Sequence, residues 1–153
     1  MEVSGSTDVK GSLNAQNMKV LGSVKVGGDC NAEQFNLEGS FAVGGLLNAD
    51  DINICLRSNR SRAQEIGGER IAVRSKPFWF GLLPSIFGLR RYHARLEAEL
   101  IEGNEISLEN TTAKVVRGNN IVLGKGCEIE LAEYKGSLRL LDDATCAEER
   151  KLL

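Results

Sequence analysis

The chain has 153 residues, a formal net charge of −2, seventeen glycines, two prolines and 5% aromatic residues. That length suits one domain with a core of its own, and the charge balance excludes the basic field that draws a protein to nucleic acid. No apolar run reaches the roughly 18–20 residues of a membrane-crossing helix, the opening MEVSGST lacks the basic and apolar regions of a secretory leader, and the four cysteines lack metal-type spacing, which suits reduced thiols in the cytoplasm.

From Gly5 the chain repeats. Residues 5–21, 22–38 and 39–55 align as GSTDVKGSLNAQNMKVL, GSVKVGGDCNAEQFNLE and GSFAVGGLLNADDINIC, each 17 residues long. Gly5/Gly22/Gly39, Ser6/Ser23/Ser40, Val9/Val26/Val43, Gly11/Gly28/Gly45, Asn14/Asn31/Asn48 and Ala15/Ala32/Ala49 are identical throughout. A short fixed period is the mark of a solenoid, whose repeats bury their apolar faces only against neighbours. Apolar residues fall in three pairs per repeat, each pair spaced by two: Thr7/Val24/Phe41 with the Val9 column, Leu13/Cys30/Leu47 with the Ala15 column, and Met18/Phe35/Ile52 with Val20/Leu37/Ile54. Spacing of two is the strand period. The predicted fold is therefore all-β, a single-stranded parallel β-helix with three short sheets around an aliphatic core.

Past Ile54 the pattern loosens. A wider corner carries Arg57, Arg60 and Arg62, and the coil resumes at Ile66, Gly68, Ile71 and Val73. Residues 75–93, SKPFWFGLLPSIFGLRRYH, break the repeat with the only tryptophan and both prolines. A narrow β-helix core has no room for such a block, so it is predicted to leave the stack. The coil returns with ELIEGNEISL, which matches QEIGGERIAV at an offset of 35, and VVRGNNIVL follows at an offset of 15. Cys127 and Ile129 form another inward pair, Leu138 and Leu140 another, and Ala144 and Cys146 open a last partial coil. The expectation is six to seven coils over residues 1–146, interrupted by 75–93, with 147–153 as a charged tail or cap, helical or frayed.

No catalytic, cofactor-binding or metal-ligating set emerges. The only histidine, His93, has no nucleophile pattern beside it, and one histidine does not make a three-histidine zinc site. The repeat of 15, 17 and 19 residues departs from the six-residue period of β-helical acyltransferases. What a bare β-helix offers is its two ends, where strand edges and core cross-section are templates for further pairing. Val3 and Val9 at one end, with Leu138, Leu140 and Leu141 at the other, are the candidate polymerisation contacts. In the insertion, Phe78, Trp79, Phe80, Leu82, Leu83, Ile86 and Phe87 followed by Arg90 and Arg91 suit a water–lipid interface, where about ten apolar residues dip in without spanning. A protein partner, or the insertion's own β-helix, are the other surfaces it would fit.

The succession GSVKVGGDCNAEQ, GSFAVGGLLNADDINI and AKVVRGNNIVLGKGCEIELAEYKGSL resembles the bactofilins, bacterial polymer-forming cytoskeletal proteins, over nearly the whole chain except 75–93. The resemblance implies a right-handed β-helix and nucleotide-independent homopolymerisation. It implies a non-enzymatic scaffold, free of cofactors, at the inner face of the cell membrane, serving cell shape, motility or envelope organisation with other envelope or cytoskeletal proteins. The chain departs from that pattern in lacking Pro-rich tails, in carrying the insertion, and in having no Phe after Phe87 to make the family's C-terminal end contact. The competing expectations are a β-helix enzyme, acyltransferase-like or lyase-like, and a monomeric protein-binding adaptor.

Overall fold

A computed structural model describes residues 1–57, 59–75 and 94–153. Eight strands follow in order: β1 Glu2–Val9, β2 Leu13–Val26, β3 Cys30–Leu56, β4 Ser61–Ser75, β5 Leu96–Leu108, β6 Thr111–Leu123, β7 Glu128–Leu140 and β8 Thr145–Lys151. They pair in chain order, each with the next and all parallel. The protein is a parallel β-solenoid of about eight turns. The pairing makes one eight-stranded sheet that winds round the axis, with register shifts between Val43 and Leu46 and between Gly118 and Asn120, and β3 alone, at 27 residues, is longer than one 17-residue repeat.

The register places the repeat columns one above another. Val3 pairs with Val20, Val20 with Leu37, Ile54 with Val73, Leu108 with Leu123, and Leu123 with Leu140. The inward pairs read from the sequence are the core: Val24 and Phe41, Val26 and Val43, Cys30 and Leu47, Phe35 and Ile52, and Leu37 and Ile54 are all buried. Phe35 and Phe41 meet edge to face, with ring centroids 5.9 Å apart. Fully burying one such side chain contributes roughly 1.5–3 kcal/mol.

Coils differ in length, and corners take up the difference. Leu46 pairs with Glu65 and Ile106 with Ile121, offsets of 19 and 15, yet the inward columns hold. Where a polar residue enters a column, it is satisfied. Ser61 stands above Phe41, fully buried, and its Oγ accepts the Phe41 N–H at 3.1 Å. The buried Thr111 hydroxyl donates to the Glu109 carbonyl at 3.0 Å. Tight corners use the left-handed region, at Gly22 (φ 130°) and Gly39 (φ 140°), and at Asn110 and Asp142, whose short polar side chains tolerate it.

Outside the core, one column changes character along the stack. Asn14, Asn31 and Asn48 come first, with the Asn31 amide donating to Asn14 Oδ1 at 3.2 Å. The same column continues as Gly67, Glu102, Arg117, Glu133 and Arg150. It is an amide ladder in the early coils and an alternating ion ladder in the late ones.

Two expectations are corrected. The stack has about eight turns, not six to seven, and residues 147–151 are neither helical nor frayed: they belong to β8, which pairs in parallel with β7 from Glu128↔Thr145 to Tyr134↔Lys151. The apolar columns stop before the strand pairing does, since Glu149 sits where the earlier coils have Leu47, Ile66, Ile101, Val116 and Ala132.

Candidate functional site

The end coils carry the candidate assembly contacts. β1 pairs on one side only, with β2, and β8 only with β7. Val3 is itself buried at 6% exposure, whereas Val9 and Leu138 are half-buried. Leu140 and Leu141 are 38% and 40% exposed. Two exposed apolar residues near the first coil, Met1 and Leu21, escaped sequence reasoning. Leu21 lies one residue past the inward Val20 and points the other way, so no column flagged it.

Phe78, Trp79, Phe80, Leu82, Leu83, Ile86, Phe87, Arg90 and Arg91, and His93, lie outside the described residues. The strands that flank them are described. β4 ends at Ser75, whose N–H donates to Glu109 Oε2 at 3.1 Å, and the next coil begins at Leu96, in register five residues on from Arg91 with Ser61 below it. From β4 to β5 the core columns continue in register, with Ile66 on Ile101 and Ile71 on Ile106.

Elsewhere the polar side chains pair along the stack. Arg70 holds Asp51 at 2.5 and 2.9 Å, and its hydrogen bonds keep the Asp51 carboxyl below the usual carboxylate range. Lys114 reaches Glu99 at 2.7 Å. Of the three arginines of the wide corner, Arg57 pairs with Glu38 and Arg60 lies 3.4 Å from Glu97. The strongest cluster is one the sequence reading passed over. Glu133, only 8% exposed, accepts from Arg117 Nε at 2.7 Å and from Arg150 at 3.0 Å, and Arg117 also reaches Glu102 at 2.9 Å. Its signal was the recurrence of a charge two residues after an outward aliphatic: Leu100 and Glu102, Val115 and Arg117, Leu131 and Glu133.

Three of the four thiols, Cys30, Cys127 and Cys146, are held away from the thiolate form. Burial pushes Cys30 up to about 11, and burial likewise raises Cys127 and Cys146. Among the described residues no group of three or more His, Cys, Asp or Glu is placed to hold a metal ion, and no helix is long and apolar enough to cross a membrane.

The architecture defines a class, the parallel β-solenoids with two strand-edge ends. Within known proteins, the chain is similar to two from Bacillus subtilis (strain 168). It is 38% identical to uncharacterized protein YhbF over 84 residues, 55% of this chain and 32% of that protein. It is 40% identical to uncharacterized protein YhbE over 93 residues, 61% of this chain and 35% of that one. The matches thus span about a third of the length of these relatives. No family model and no solved structure matches the chain.

Proposed function

We propose that the chain is a non-enzymatic, self-assembling scaffold of the bactofilin type, which polymerises end to end without nucleotide and lies at the inner face of the cell membrane. The observation that carries this reading is the pairing pattern: a strand edge without a neighbour lies at each end of the stack, with the half-buried Val9 at one and Leu138, Leu140 and Leu141 at the other. A strand edge beside an apolar cross-section is a template for another copy. Electron microscopy of the purified chain without nucleotide is expected to show filaments. Leu140→Asp is expected to abolish them while leaving the far-ultraviolet circular dichroism unchanged. Monodisperse wild-type monomers at high concentration would overturn the reading and favour an adaptor.

Membrane association is the part of this proposal that rests on residues 78–91. Aromatic side chains followed by Arg90 and Arg91 match an interfacial segment, with the rings at headgroup level and the cations toward anionic lipid. In liposome co-sedimentation, Phe78→Asp/Trp79→Asp is expected to lower the pelleted fraction severalfold. Equal pelleting of variant and wild type would remove the membrane from the proposal.

A further inference from the structure

β8 is held unlike any other strand. None of its residues is fully buried, and only Cys146 among them is half-buried. In the preceding coil, Cys127, Ile129 and Ala132 are buried at 1%, 3% and 0% exposure. In the inward columns β8 offers Cys146 opposite Ile129 and Glu149 opposite Ala132. Apolar burial thus contributes little to seating it. What seats it is backbone pairing from Thr145 to Lys151, the Asp143 carboxylate accepting the Gly126 N–H at 2.8 Å, and one ion cluster. In that cluster Glu133 of β7 joins Arg117 of β6 to Arg150 of β8, and Arg150 also reaches the exposed Glu148 at 2.9 Å.

The first coil has the residues that β8 lacks. In the column of Cys146 it carries Val9, and in the column of Glu149 it carries Leu13. Both are half-buried because nothing described stacks on their open side. A strand bearing Val and Leu at these positions covers Ile129 and Ala132 with more apolar surface than β8 does.

We propose that β8 is a detachable end coil latched through Glu133, and that its release opens the β7 edge to the first coil of a second copy. The second half rests on the assembly reading above; the latch does not. An isolated edge strand with few buried contacts opens locally, well below the cost of global unfolding. Removing the charge that bridges two arginines takes away the main side-chain tie and leaves the backbone ladder alone. The Arg117 hydrogen bond above all, against the opposing effect of burial and with help from the charges of Arg117 and Arg150, holds the Glu133 carboxyl below the usual range. The latch is therefore intact above that range and is lost only as pH falls through the depressed value, so substitution is the probe at neutral pH.

The test is hydrogen exchange on the full chain, read on 145–151 against 96–123, with sedimentation velocity on the same samples. Glu133→Gln is expected to speed exchange in 145–151 about tenfold and leave 96–123 unchanged. Arg150→Gln, which leaves coils six and seven untouched, is expected to do the same, and Glu148→Gln to do nothing. Unchanged exchange in both Glu133→Gln and Arg150→Gln would overturn the latch. Glu133→Gln is also expected to raise the oligomeric fraction severalfold. Faster exchange without that rise would overturn the docking half, as would monomers in every variant. Wild-type monomers alone would sink the assembly reading while the exchange data still judged the latch.

Discussion

Gly39→Ala is expected to destabilise the chain by roughly 3 kcal/mol, whereas Gly11→Ala stays within about 0.5 kcal/mol of wild type. The two glycines belong to columns that look equally invariant in the repeats. Their surroundings differ. Gly39 has φ 140°, and a Cβ there would overlap the carbonyl oxygen of Gly22 in the coil below. That oxygen belongs to backbone paired in register, Gly22 with Gly39, and has no room to retreat. The substitution adds a left-handed penalty of about 1 kcal/mol or more to a backbone clash. Gly11 has no heavy atom within 4 Å of the same position and an ordinary φ. Urea denaturation followed by circular dichroism separates the two. Equal midpoints would show that the corner at Gly39 relaxes and that its glycine is dispensable.

Phe35→Ala is expected to cost about 3–5 kcal/mol. Phe35 is fully buried, lies between its column partners Met18 and Ile52, and presents its ring to Phe41. The two rings are the only aromatic pair among the described residues. Solenoid coils touch only their neighbours, so a cavity here weakens the contacts of the second coil with the first and third and little else. The loss should be uneven: exchange rises across residues 2–38, and 96–140 keep their protection. Uniform loss of protection over the whole stack would show instead that all coils unfold as one unit.

Much of this fold could be read from residues alone, because a solenoid writes its core as columns. Phe35, Ile52 and Ile71 are unevenly spaced, yet each falls in the same inward line. The match of ELIEGNEISL to QEIGGERIAV across 35 residues carried the columns past the insertion, and Ile66↔Ile101 and Ile71↔Ile106 are the pairs it predicted. What stayed hidden was polar. Ser61 takes an inward position that reads as part of a loop, since a hydroxyl satisfied by the Phe41 amide has no sequence period. The last coil was read only as far as Cys146, because its further pairing is backbone and ionic, and Glu149 breaks the apolar line that identifies the others. The Glu133 cluster joins residues 15 to 17 apart that are unremarkable on their own strands. Exposure at the two ends was not legible either: Val3 is covered, and Leu140 and Leu141 are open.

The outer column that passes from Asn14, Asn31 and Asn48 to Glu102, Arg117, Glu133 and Arg150 gives the rod a directional fragility. Neutral amide rungs are indifferent to dissolved ions, whereas rungs of alternating charge weaken as counterions screen them. A change of ionic environment is therefore felt at one end of the rod and scarcely at the other. A symmetric stack of identical coils would lack that asymmetry; here one side chain per turn, outside the core, suffices to tell the ends apart.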